Sequence, residues 1–154
     1  MDSLHDWIDN FVTKHNDTFG GVPCPYARKA MRDKTVDIRE SVNLPQDLND
    51  LLDWDDKFEA VILHTHPRMH TVEGLNTFVD IWNRKARDKD LVALEDHPED
   101  IEIVKGVQMN YGKAILIIVQ RLSKLNEASD HLADLGYYDE WDEENYKKVV
   151  AWRK

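Results

Sequence analysis

Histidines follow two of the apolar segments of this chain. His64 and His66 come directly after the apolar run 58–63, and His97 follows the later run 91–94. Neutral imidazole suits zinc, iron or manganese, and residues i and i+2 of an extended segment point to the same side. The pattern therefore predicts a divalent metal site whose ligands are His64, His66 and His97.

Acidic and basic side chains accompany these histidines. Glu95 and Asp96 precede His97 directly, and Arg39 and Glu40 end an earlier alternating segment. If the strands are parallel neighbours, all these residues meet at one edge of the sheet, where open α/β sheets bind ligands. Two other interpretations stay open: a histidine general acid or base, whose ordinary pKa is ~6.5, and a solvated rim that binds nothing.

Cys24 is the single cysteine and stands between Pro23 and Pro25. If Pro25 begins a helix, Cys24 takes the N-cap position, where backbone N–H groups and the helix dipole stabilise a thiolate. Arg28 would lie one turn further on and hold an anion. This predicts Cys24 as nucleophile, redox centre or metal ligand, with His97 as acid/base or ligand; the alternative is a packed, inert thiol.

The elements that position these residues are predicted from hydrophobic periodicity. Apolar or alternating runs predict strands, and apolar residues at helical spacing predict helices. Strand–helix–strand order predicts parallel, adjacent strands from 36 to 63 and again from 58 to 94. The fold class is therefore α+β: one compact domain, 1–154, with about four strands and flanking helices, a ferredoxin-like topology being one form. The predicted strands are 36–39, 58–63, 91–94 and 114–119, and the predicted helices are 3–15, 25–31, 48–52, 72–85, 122–135 and 142–152.

Composition narrows the classes of function. The chain has 154 residues, 30 acidic against 20 basic side chains and a net charge of -10, which disfavours nucleic acid and anionic lipid as partners. It lacks an apolar run of ~20 residues that could cross a bilayer, and residues 1–10 do not resemble a secretory signal. One cysteine excludes an internal disulfide and suits a reducing compartment. We therefore expect a cytoplasmic protein without membrane or nucleic-acid partners.

The segment from Cys24 to Arg28, Cys-Pro-Tyr-Ala-Arg, resembles a motif of an uncharacterised bacterial family, domain of unknown function number fourteen-fifteen. Members have a tryptophan in the first helix, here Trp7, and then a Leu-Cys-Pro-Phe-Ala-like motif. The similarity extends through an apolar strand ending at His64 and a later Val-Ala and His-Pro segment at His97. It implies Cys24, Arg28, His64 and His97 as site residues and implies no reaction. A reduced phage or marine bacterial relative would account for the missing Asn-Arg-Ser-Pro-Tyr-Pro segment of that family.

Two classes of function follow from these residues. The first is a small enzyme or small-ligand-binding protein with a site centred on Cys24 and the histidines, dependent on zinc, iron or manganese in one version. The second is a noncatalytic acidic interaction protein that presents C-terminal aromatic residues to a protein partner, or a homo-oligomer. Packing of those aromatics into the core is the competing structural interpretation. They are Tyr137, Tyr138, Trp141, Tyr146 and Trp152.

Overall fold

A mixed four-stranded sheet forms the centre of the protein in the computed structural model, which describes residues 2–154. The strand order is β1-β2-β6-β3, so that β1 and β3 are the two edges. β1 is parallel to β2, whereas β6 is antiparallel to both β2 and β3. These strands are β1 Val36–Glu40, β2 Ala60–Thr65, β3 Leu91–Asp96 and β6 Ile115–Arg121.

Helices cover both faces of this sheet and confirm the α+β class. The longest, α4, is capped by Thr71, whose Oγ1 accepts a hydrogen bond of 3.0 Å from the N–H of Gly74. The second longest, α5, ends at Asp134, and Gly136, two residues further on, has a φ of +81° that suits glycine. The helices are α1 Asp2–Trp7, α2 Ala27–Arg32, α3 Leu44–Asp50, α4 Val72–Ala86, α5 Leu122–Asp134 and α6 Glu143–Val149.

The two faces of the sheet bury different apolar clusters. The alternation of side chains along β2 sends Val61 and Leu63 to one face and Ile62 to the other. The first face packs against α3 and α4 and carries the larger cluster. The second face packs against α1 and the π-helical turn Ile8–Val12 that continues it. The larger cluster includes Leu44, Leu48, Leu75, Val79, Trp82, Leu91, Ala93, Ile117 and Val119, and the smaller one consists of Leu4, Ile8, Ile62 and Leu116.

One predicted pairing is wrong. The unit from β1 to β2 is parallel and adjacent as expected. β2 and β3 also point the same way, but β6 lies between them and pairs with both. The edge at which histidines from β2 and β3 were expected to meet is therefore divided by a whole strand. The resulting element order also differs from the β-α-β-β-α-β order of a ferredoxin-like fold.

A short hairpin, β4 Ile103–Val104 and β5 Val107–Gln108, was not predicted. Its two turn residues, Lys105 and Gly106, have φ values of 55° and 80°. Positive φ at both central residues is the geometry of a tight type I′ hairpin. Lys105-Gly106 between the apolar pair Ile103-Val104 and the apolar Val107 was the available signal in the sequence. The hairpin follows β3, and the residues directly before and after it, Glu102 and Met109, line the cavity described below.

Among residues 2–154, no helix combines the length and the apolar character that crossing a bilayer requires.

Candidate functional site

A cavity of about 540 Å³ lies beside β3, at the edge of the sheet. Two neighbouring acidic residues of that strand line it. Glu95 is paired with Ile117 and Asp96 with Leu116, so their side chains leave the strand toward opposite faces. Because β3 has no strand beyond it, one cavity can wrap around the edge and reach both. Its other walls come from α1, α4, β6, the loop after β3, the segments on either side of the hairpin and the C-terminal segment, with Trp7, Asn76, Asp80, Asp100, Glu102, Met109, Asn110, Ile118, Lys148, Val149 and Trp152.

Burial changes the acidity of Glu95. Loss of hydration raises the pKa of its carboxyl from 4.5 to about 7. The negative charges of Asp80 and Asp100 add to that rise, while its own backbone N–H and Lys148 oppose it. Near neutral pH this carboxyl therefore exists in both protonated and ionised forms, as a general acid or base requires.

Asp96 behaves in a similar way on the opposite face of the strand. Burial raises the pKa of its carboxyl from 3.8 to about 6, helped by the charges of Glu102 and Asp100. The N–H of Tyr111 donates a 3.0 Å hydrogen bond to Asp96 Oδ2 and partly offsets the rise. Burial also raises the pKa of Glu102. The cavity thus holds three carboxyls that resist ionisation.

Three polar atoms of the cavity walls have no hydrogen-bond partner among residues 2–154. They are the acceptors Glu95 Oε2 and Asp96 Oδ1 and the donor Asn110 Nδ2. Asn110 is 6% exposed, and its own Oδ1 accepts a 3.1 Å bond from the N–H of Glu102. Buried polar atoms are nearly always paired, since an unpaired one costs ~1–3 kcal/mol. A polar ligand or ordered water in the cavity would supply hydrogen-bond partners for these three atoms.

His97 stands at the margin of this cavity and holds the loop after β3. It is 3% exposed, and both ring nitrogens are engaged. Nδ1 accepts a 3.0 Å bond from the N–H of Glu99, so Nε2 carries the proton that it donates to the carbonyl of His70 at 2.7 Å. No lone pair is left for a metal ion or a substrate in this arrangement. The ring joins the end of β3 to the segment that precedes α4.

His64 and His66 lie elsewhere. His64 is buried in β2, and desolvation lowers its pKa against the opposing effect of Glu40. In the register of the sheet, Leu116 of β6 lies between His64 of β2 and Asp96 of β3. His66 is exposed, and its Nδ1 accepts a 3.1 Å bond from the N–H of Arg68. Throughout residues 2–154, histidine, cysteine and carboxylate side chains form no group of three or more that could hold a metal ion, so the predicted set of His64, His66 and His97 is not brought together.

Cys24 does not cap a helix. The helix α2 begins at Ala27 with Tyr26 as its N-cap, which corrects the predicted start at Pro25. The residue is exposed, yet neighbouring atoms desolvate the sulfur and raise the pKa of the thiol, while the amides of Tyr26 and Ala27 lower it less. Neither observation indicates a stabilised thiolate.

Arg28 helps to hold the loop that contains Cys24. Its Nη2 donates a 2.8 Å hydrogen bond to the carbonyl of Thr13, and the N–H of Cys24 donates a 3.0 Å bond to the carbonyl of Val12. Both contacts fasten the segment before α2 to the end of the first helical stretch. A catalytic role of Cys24 with Arg28 stays a prediction that these contacts do not support.

The C-terminal aromatics pack against one another and against the N-terminal loop. Phe19 is 1% exposed and contacts the rings of Tyr137 and Trp141, with centroids 6.0 and 6.4 Å apart. Tyr137 also donates a 2.6 Å hydrogen bond to the carbonyl of Pro23. Trp152 is separate from this cluster, 44% exposed, and lines the cavity beside β3. Four of the five predicted aromatics thus close the structure, and the fifth forms part of the candidate site.

The sequence pointed to part of this site. Glu95 and Asp96 could be predicted at this edge of the sheet, because they directly precede His97 in the chain. Asn110 and Lys148 were missed because the hairpin and α6 bring them in from distant parts of the sequence. Comparisons with protein-family models, with curated proteins and with solved structures found no match to this chain.

Proposed function

We propose that the protein binds a small polar molecule in the cavity beside β3, with Glu95 and Asp96 as the groups that contact it. The observation that carries this proposal is the presence of unpaired, buried oxygens of both carboxyls on one cavity. Ligand pockets typically combine apolar and aromatic walls with a few converging polar groups, and their volumes run from ~300 to 1,000 Å³. The cavity beside β3 has this composition and size.

The raised pKa values suit a proton-transfer role at the same place. A carboxyl whose pKa is about 7 can give and take a proton at neutral pH. Glu95 is accordingly the residue that we assign as acid or base if the bound molecule is also transformed. This replaces Cys24 and His97 as the proposed chemical centre, since both ring nitrogens of His97 are engaged.

Blocking the cavity tests the binding proposal. Val149 lines the cavity and is half-buried, so Val149→Phe is expected to fill it and remove binding. A mixed library of small metabolites, screened by saturation-transfer NMR, should contain compounds that bind the wild-type protein and not Val149→Phe. The matched control is Val42→Phe, because Val42 is 85% exposed and does not line the cavity.

A library that gives no binder sensitive to Val149→Phe would contradict the proposal. So would binders that Val42→Phe and Val149→Phe weaken equally, because such compounds would bind elsewhere or respond to a general loss of stability. Circular dichroism and thermal unfolding of both variants establish that they are folded before the comparison is made.

A further inference from the structure

We infer that the ligand of the cavity beside β3 is a small organic cation, an aliphatic amine that also carries a hydroxyl or carbonyl oxygen. This inference rests on the proposed function and specifies the class of molecule. It starts from the charges of the walls. Five carboxyl groups and one ammonium line the cavity, namely Asp80, Glu95, Asp96, Asp100 and Glu102 against Lys148.

Among residues 2–154, Lys148 is the one lysine or arginine that lines the cavity, and it already forms an ion pair. Lys148 Nζ lies 3.5 Å from Asp100 Oδ1, at one side of the cavity. The partly buried carboxyls Glu95 and Asp96 have no cationic side chain within ion-pair distance among residues 2–154. A cation brought by the ligand would therefore compensate charge that the protein itself leaves uncompensated.

Asn110 sets a second, independent requirement on the ligand, which is an acceptor for its side-chain N–H. Its side chain is 6% exposed and lines the cavity, and Nδ2 donates to no acceptor among residues 2–154. An ammonium group carries only donors and cannot satisfy that N–H. The ligand that matches the walls must offer donors to Glu95 Oε2 and Asp96 Oδ1 and an acceptor to Asn110 Nδ2. An amino alcohol has this combination.

Two indole rings favour an organic cation further. Trp7 and Trp152 both line the cavity. Trp7 is held by stacking on Phe11, with centroids 5.9 Å apart, and by a tilted contact of 5.2 Å with Tyr111. Tryptophan is the side chain that attracts organic cations most strongly. Aliphatic carbons between the charge and the hydroxyl would also pack on these rings.

A bare metal ion fits the same walls poorly. Such an ion needs ligand atoms that converge on one point. Glu95 and Asp96 leave β3 toward opposite faces, and no group of three or more suitable ligands occurs in the described residues 2–154. An elongated cation can meet carboxyls that are spread along a cavity, whereas a point charge cannot.

Four-carbon probes that differ only in charge and polarity test the inference. They are 4-amino-1-butanol, 1,4-diaminobutane, 1,4-butanediol and succinate. Each is titrated into protein labelled with nitrogen-15 at the indole groups, at neutral pH. We expect the signals of Trp7 and Trp152 to shift with the two amines, while Trp54 and Trp82, which do not line this cavity, stay unchanged. We expect 4-amino-1-butanol to bind at least about tenfold more tightly than 1,4-butanediol, and succinate not to bind.

Substitutions in the walls are expected to change binding in opposite directions. A general loss of stability would weaken binding in every variant. Glu95→Gln should weaken binding of 4-amino-1-butanol about tenfold. Lys148→Gln should strengthen it by up to about fivefold, since Lys148 is the only lysine or arginine among the described residues that line the cavity. Asn110→Leu should weaken 4-amino-1-butanol more than 1,4-diaminobutane.

The inference is overturned if 1,4-butanediol or succinate binds as tightly as the amines, or if neither amine shifts the two indole signals. The proposed function fails separately, through a library without binders sensitive to Val149→Phe. Neutral or anionic library compounds that bind in a Val149-dependent manner would leave the proposed function intact and reject the cationic ligand.

Discussion

Glu95→Gln is expected to raise the free energy of unfolding at about pH 8 by about 3 kcal/mol, and this gain is expected to vanish near pH 4.5. Burial raises the pKa of Glu95 from 4.5 to about 7, so between these values the folded protein keeps a proton that the unfolded chain has released. The stability that Glu95 contributes is therefore complete below pH 4.5 and is lost as the pH rises through about 7. Glutamine stays neutral throughout and carries no such loss.

Urea unfolding across this pH range, followed by tryptophan fluorescence, measures the effect. The matched control is Glu99→Gln, because Glu99 is exposed in the loop directly after β3 and its substitution should change stability by less than ~0.5 kcal/mol. The claim that burial raises the pKa of Glu95 would be contradicted by a Glu95→Gln variant that is less stable than wild type at about pH 8. A stability difference that is the same at every pH would contradict it as well.

Arg153→Ala is expected to lower the free energy of unfolding by about 3 kcal/mol, although Arg153 is next to the last residue. Its side chain is 2% exposed. Nη2 donates a 3.0 Å bond to Ser129 Oγ, and Nε donates a 3.0 Å bond to the carbonyl of Val149. Ser129 is itself 4% exposed, so the substitution leaves a buried hydroxyl without its donor. Hydrogen bonds to charged groups contribute ~1.5–3 kcal/mol each, and removing the donor leaves its buried partners unpaired.

The same substitution should damage the cavity beside β3. Trp152 precedes Arg153, and Lys148 and Val149 belong to the helix that Arg153 fastens to α5. Thermal unfolding and the indole signal of Trp152 report the two effects. Arg32→Ala is the control, because the side chain of Arg32 is 70% exposed. Unchanged stability in Arg153→Ala would show that desolvation of the guanidinium cancels its hydrogen bonds.

The helices and the strands of the sheet could be predicted because their signals are local. The apolar spacing of α4 is repeated within one segment, from Leu75 to Ala86, and the cap at Thr71 lies directly before it. The signal for the end of α5, Gly136 two residues after Asp134, is equally local. The placement of β6 between β2 and β3 is not local, because it depends on which distant strands pair. Because β2 does not pair with β3 as expected, the three predicted histidine ligands do not come together.

The candidate site was predicted only in its acidic part. Glu95 and Asp96 follow the apolar residues of β3, so their position at the end of the strand was readable from the pattern. Their raised pKa values depend on walls contributed by the segments that flank the hairpin and by α6, which no local pattern relates to β3. The role of His97 was also hidden, since its Nε2 is engaged by the carbonyl of His70, a residue 27 positions away in the chain.

Titration of the side-chain carboxyls by carbon-13 NMR tests most directly whether the cavity beside β3 holds desolvated acids. The signals of Glu95 and Asp96 are assigned with Glu95→Gln and Asp96→Asn and followed from about pH 3 to about pH 9. We expect Glu95 to titrate with a midpoint of about 7 and Asp96 with a midpoint of about 6. Midpoints near 4.5 and 3.8 would show that both carboxyls are fully hydrated, and would contradict the cavity as a site for ligand binding or proton transfer.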